Sequence, residues 1–216
     1  MERQQVMGER YIGCGMGEGQ MVLEGTPGNA LGAYLDGAEI TLYGNAQDAT
    51  GDTMNRGTIT IHGNIGDAAG YAMRGGAIYV QGDAGYRAGI HMKAYKNKLP
   101  VLVIGGRCGS FLGEYQAGGL IIVLGLGCEG HVPVGNFCGT GMHGGKIVLR
   151  TEELPPDLPE QVEASVATKE ELEEILPYLE SYCEKFGADL KSLTESTFYI
   201  LKANSKNPYK QLYVQN

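Results

Sequence analysis

Four residues in one glycine-rich stretch carry side chains that can bind a metal: Cys128, His131, Cys138 and His143, in GCEGHVPVGNFCGTGMHGG (127–145). Two thiolates and two imidazoles form a tetrahedral zinc set when they converge. Zinc sites usually show closer cysteine pairs. A surface loop with two small buried thiols is therefore the stronger reading. Glu114, in GEYQAGG, is a candidate functional acid, although loop acids more often bond local backbone or serve an interface. Cys14 lacks the start-of-chain position and the adjacent base that a nucleophile needs. The loop GCGMGEG (13–19) follows no clear strand and lacks GxGxxG spacing, so it does not point to a dinucleotide. No Ser/His/Asp elbow, Walker loop or paired general acid stands out.

The elements that must position these residues are set by glycine. Of 35 glycines, all but Gly187 fall in residues 1–150. Interior glycine costs a helix about 1 kcal/mol relative to alanine, which excludes a helical bundle. There is no Gly-X-Y triplet, which excludes collagen. The glycines instead follow a repeat of apolar, any, apolar, any, glycine. It runs through Met21–Leu23–Gly25, Ile40–Leu42–Gly44, Ile59–Ile61–Gly63, Ile78–Val80–Gly82, Val101–Val103–Gly105 and Ile121–Val123–Gly125, and ends at Ile147–Leu149. The steps are 19, 19, 19, 23, 20 and 26 residues. A second column carries Met54, Met73, Met92 and Met142, with Gln116 in the same slot. Side chains at i and i+2 of a strand share a face, so the first two apolar residues of each copy point inward. One coil cannot bury that face alone, whereas stacked coils share a continuous core. Asn45, Asn64 and Asp83 follow the glycines and tolerate tight turns. The expected fold is all-β: a right-handed parallel β-helix of about seven coils over residues 1–151, then a linker and helical tail over 152–216. A sandwich or barrel does not require glycine in register.

Charge and composition exclude several classes. The net charge is -8, with no basic footprint for nucleic acid. No apolar stretch is long enough to span a membrane. The first residues, MERQQVMGERY, lack the apolar core of a signal peptide, so a cytoplasmic protein with reduced thiols is expected.

The outward positions change along the repeat. They are Thr41/Tyr43, Thr60/His62 and Tyr79/Gln81, then Leu102/Ile104 and Ile122/Leu124. Four large aliphatics together should not face water. The tail is the expected cover, with a partner chain as the alternative. Thr168-Lys-Glu-Glu171 reads as a capping box, followed by Leu172, Ile175, Leu176, Leu179, Cys183 and Phe186 at helical spacing. Gly187 ends that helix, and Pro177 is expected to kink or divide it. The insertion KAYKNKLP (93–100) is basic through Lys93, Lys96 and Lys98; it is a solvated loop or a dock for an acidic partner.

GYAMRGG (70–76), GYRAGIHMK (85–93), FLGEYQAGG (111–119) and GTGMHGG (139–145), set on GxGxG repeats, resemble the C-terminal domain of the large subunit of glutamate synthase. The match is nearest to the version in which that domain is a separate polypeptide. It covers about Tyr11 to Arg150, and NPYKQLYV (207–214) looks like the same family's tail. The resemblance implies a right-handed β-helix that acts as a scaffold for glutamate biosynthesis. It places no catalytic or cofactor-binding residue in this chain. FMN and an iron–sulfur cluster are implied in a partner synthase subunit, and glutamine hydrolysis in an amidotransferase subunit. The C subunit of formylmethanofuran dehydrogenase shares the repeat and is the alternative, as is a stand-alone binding module. Self-association of the isolated chain is left open.

Overall fold

The computed structural model describes residues 2–204, so NPYKQLYV (207–214) lies outside the described residues. Eight strands run parallel in chain order: β1 (Gln4–Met7), β2 (Gln20–Thr26), β3 (Asp36–Tyr43), β4 (Arg56–Ile61), β5 (Gly76–Val80), β6 (Pro100–Ile104), β7 (Ala117–Val123) and β8 (Gly144–Arg150). β9 (Val162–Val166), α1 (Lys169–Phe186), α2 (Leu190–Thr194) and β10 (Phe198–Ala203) follow. β10 pairs antiparallel with both β8 and β9, which completes a ten-stranded mixed sheet.

The strands form because their residues suit a pleat buried on one side. Ile40 and Leu42, Ile59 and Ile61, and Ile78 and Val80 all point into one core with Met54, Met73, Met92 and Met142. Successive layers are bonded at three places around this core. The sheet is the first. The parallel bridges Ala46–Ile65, Ile65–Ala84, Ala84–Cys108 and Cys108–Val134 form the second. At the third, the N–H groups of Ala49, Ala68 and Arg87 donate to carbonyls one layer on, at 2.8, 2.8 and 2.9 Å.

The side chains after the glycines do more than permit turns. Asn45 Oδ1 accepts the Asn64 N–H at 2.8 Å, Asn64 Oδ1 accepts the Asp83 N–H at 2.8 Å, and Asp83 Oδ1 accepts the Arg107 N–H at 2.7 Å. This ladder satisfies backbone donors that the corner would otherwise leave unpaired. Gly44 belongs to the same corner. A Cβ there would collide with the Gly25 carbonyl oxygen one layer below, so close approach of backbones requires glycine.

Three features depart from the sequence reading. The first is β1, which adds a parallel strand before Met21; QQVM has neither the glycine nor the alternation that marks the others. The second is the tail, which is not purely helical: FYILKA forms β10 and covers the free edge of β8. The third is the register at β6. Ile78 pairs with Leu102, and Leu102 with Ile121, so the steps there are 24 and 19 residues rather than 23 and 20. A one-residue slip exchanges the faces of the whole strand.

In α1, Glu171 N–H donates to Thr168 Oγ1 at 3.3 Å and Thr168 N–H to Glu171 Oε2 at 3.0 Å, the reciprocal bonds of a capping box. The helix runs unbroken through Pro177 and ends at Gly187, with φ 72°.

Candidate functional site

The register decides what lies beneath α1. Ile122 and Leu124 do face the tail. Leu102 and Ile104 do not: they point into the main core beside Ile121 and Val123. Val101 and Val103 take their place on the outer face, under Ile175, Leu179 and Tyr182. Gly105 consequently occupies the layer position of Gln81 rather than that of Gly82. Its missing Cβ leaves room for the Tyr182 hydroxyl, which donates to the Gln81 carbonyl at 3.1 Å. Gly25, Gly63, Gly82 and Gly125 are likewise places where a Cβ would meet another segment.

The four residues with metal-binding side chains are not brought together. Cys138 is wholly buried in the core, while His131 and His143 are exposed. Burial pushes the Cys138 thiol up to about 12, the opposite of the deprotonation that metal binding needs. Among the described residues, no group of three or more His, Cys, Asp or Glu side chains is arranged to hold a metal ion. Cys128 and His131 instead line a cleft of about 220 Å³ with Gly125, Glu129, Arg150 and Ser196. Arg150 is engaged there. Its Nη1 donates to the Leu124 carbonyl and its Nε to Ser196 Oγ, both at 2.9 Å, which clasps the sheet to the tail.

Glu114 stands in a more organised setting. Its own turn places it between Gly113 and Tyr115, at φ 64° and 54°. Its carbonyl accepts the His91 N–H at 2.9 Å. Its carboxylate, nearly buried, accepts from Arg87 Nε at 2.6 Å. The same bond raises the Arg87 guanidinium further above its ordinary value. The Arg87 guanidinium lies 4.7 Å from the centre of the Tyr86 ring and 5.2 Å from that of Phe111. Phe111 packs on Phe137 at 4.9 Å, and His91 stacks on Tyr115 at 5.2 Å. A carboxylate so committed holds a cation in place; the chemistry on offer is recognition by an ordered guanidinium among rings.

Sequence reasoning singled out Glu114 but missed the ring cluster around it. The signal was available. Ala49 and Ala68 occupy the column in which later layers carry Arg87, Phe111 and Phe137, and a change from small to large residues at one repeat position marks a specialised surface.

Among the described residues, no helix is long and apolar enough to cross a membrane. The sequence matches the GXGXG motif family over residues 3–203. It is also 46% identical to an uncharacterized protein of Methanocaldococcus jannaschii, over 96% of this chain and 83% of that one. The repeat read from the glycines and the layers built on it thus agree with the family match, and the chain belongs to the GXGXG motif family.

Proposed function

We propose that this chain is a right-handed parallel β-helix serving as the scaffold subunit of a glutamate synthase-type complex. Glutamine hydrolysis and the synthesis of glutamate from 2-oxoglutarate would then belong to partner subunits, the latter carrying FMN and an iron–sulfur cluster. The observation that carries this reading is the family match along residues 3–203, on a framework whose chemically able side chains serve structure. Glu114 is tied to Arg87, Arg150 to Leu124 and Ser196, and Cys108 and Cys138 to the core. Such a chain suits positioning rather than turnover.

The test is to purify the full-length tagged chain from its own organism and characterise what comes with it. The expected partner contains FMN and an iron–sulfur cluster, and the assembly makes glutamate from glutamine and 2-oxoglutarate. A partner holding a molybdenum or tungsten pterin would move the chain to the formylmethanofuran dehydrogenase reading. Glutamine turnover by the isolated chain would end the scaffold reading.

A further inference from the structure

In the later layers, large side chains adjoin one another along one corner of the stack, in a backbone conformation that disfavours them. Two columns take positive φ layer after layer. The first layers hold Tyr11, Ala30 and Tyr34, at φ 60°, 66° and 57°, and the middle layers Ala49, Ala68, Thr53 and Ala72, at φ 57°, 53°, 53° and 50°. In later layers they hold Arg87, Phe111 and Phe137, and His91 and Tyr115, at φ 54–62°. A residue held there costs of order 1–3 kcal/mol unless it is glycine. These rings do not repay that cost in the core. Phe137 is 48% exposed and Tyr115 is 37% exposed.

Unpaired cations flank the rings. Lys93 sits one layer above Arg74, its N–H donating to the Met73 carbonyl at 3.0 Å. Lys96 follows in the insertion, with its ammonium 5.3 Å from the centre of the Tyr95 ring. Among the described residues, no ion pair joins Arg74, Lys93 or Lys96 to an acid. The acids of this corner bond within the chain: Glu114 holds Arg87, Asp48 accepts the Asp67 N–H at 2.9 Å, Asp52 accepts from Thr53 Oγ1 at 2.7 Å, Asp67 accepts the Tyr86 N–H at 2.8 Å, and Asp157 accepts the Phe137 N–H at 2.7 Å. In a chain of net charge -8, Arg74 and Lys93 thus follow the second of these columns by two residues, with no ion-pair partner among the described residues.

We infer that this corner docks an acidic surface of a partner polypeptide, with carboxylates meeting Arg74, Lys93 and Lys96 and apolar side chains covering Phe111, Phe137 and Tyr115. Arginine and aromatic residues dominate the centres of protein interfaces, and complementary charge sets their orientation and rate of encounter. Glu114 holds Arg87 in a single pose before the partner arrives, which lowers the ordering cost of binding. The inference rests on the chain being a subunit of a larger complex, and it names the face that subunit contact uses.

The experiment uses the full-length chain with the FMN- and iron–sulfur-binding synthase subunit and the amidotransferase subunit of the same organism, each purified. Binding is titrated for the unaltered chain, for R74E/K93E, for F111A/F137A and for the tail control K169E/K191E. Phe111→Ala and Phe137→Ala copy the layers of Ala49 and Ala68, and an unchanged melting temperature confirms that the fold survives. At least one subunit is expected to bind the unaltered chain and the control equally. Both corner variants are expected to bind it at least ten-fold more weakly, and R74E/K93E also to lose most of the salt dependence. Equal binding by the corner variants would overturn the docking surface and leave the scaffold reading standing. No binding of either subunit to the unaltered chain would overturn both. Self-association lost in R74E/K93E, or corner-dependent binding of a single-stranded oligonucleotide in place of a subunit, would assign the corner another occupant and overturn the inference.

Discussion

The Tyr182 hydroxyl donates to the Gln81 carbonyl at 3.1 Å, and the space it uses exists because residue 105 is glycine. A Cβ on Gly105 would collide with both that hydroxyl and the Gln81 carbonyl. Tyr182→Phe removes one hydrogen bond and should lower stability by about 1 kcal/mol. Gly105→Ala should cost more, because it displaces α1 and strains the layer together. In the Tyr182→Phe background the alanine should cost less, but not nothing, since the Gln81 oxygen remains. Urea unfolding of the four chains measures this coupling; strictly additive losses would refute the shared space.

The register at β6 makes a second prediction. Leu102 faces the main core and Val103 faces α1. A cysteine at 103 should become accessible when α1 undocks, at denaturant concentrations below the main transition. A cysteine at 102 should stay protected until global unfolding, because local openings expose only what they uncover. Labelling kinetics with Cys14, Cys128 and Cys183 replaced by serine would show the order, and a reversed order would contradict the register.

This strand also shows where sequence reasoning stops. In β3 to β5 the inward residues alternate with Thr41, Thr60 and Tyr79 in outward places, so the faces can be told apart from letters alone. In PVLVI every residue is apolar and every one is buried, which leaves no alternation to read. The neighbouring insertion has no fixed length in the repeat, and Gly105 and Gly106 both fit the glycine slot. The capping box of α1 was legible because two local side chains specify it. The ring cluster is harder to read, because it depends on which columns adjoin across layers, and it emerges from periodicity only when each column is followed past its glycine.

Thiol burial predicts a loss of stability in alkali. Burial pushes the Cys138 thiol up to about 12 from 9.0, and holds Cys108 well above its ordinary value. The folded chain keeps these protons while the unfolded chain releases them near pH 9. The native state therefore binds more protons, and stability falls as pH rises from about 9 to about 12. One such thiol contributes a slope of about 1.4 kcal/mol per pH unit in that window. Cys138→Ala should be less stable at neutral pH, because it leaves a cavity, yet should show a shallower decline above about pH 9. Urea midpoints across that window give the comparison; equal slopes would contradict the assignment.

Gln116 offers the opposite case, a native residue that the fold would improve by losing. It occupies the interior column that holds Met54, Met73, Met92 and Met142 in other layers. It is fully buried, and its Oε1 has no hydrogen-bond partner among the described residues. Its Nε2 reaches the carbonyls of Gly118, Gly119 and Lys146 only at 3.3, 3.2 and 3.4 Å. Long bonds of this kind recover little of the cost of burying an amide, and a buried acceptor without a partner costs about 1–3 kcal/mol. Methionine has nearly the same volume and bends to fill the same space without polar atoms that need partners. Gln116→Met should therefore raise stability by about 1 kcal/mol, or a melting temperature gain of roughly 2–4 °C for a chain of this size. Calorimetry decides the sign. A lower melting temperature would mean that the three carbonyl contacts outweigh the unpaired oxygen, and that glutamine at this layer contributes to holding β7 against β8.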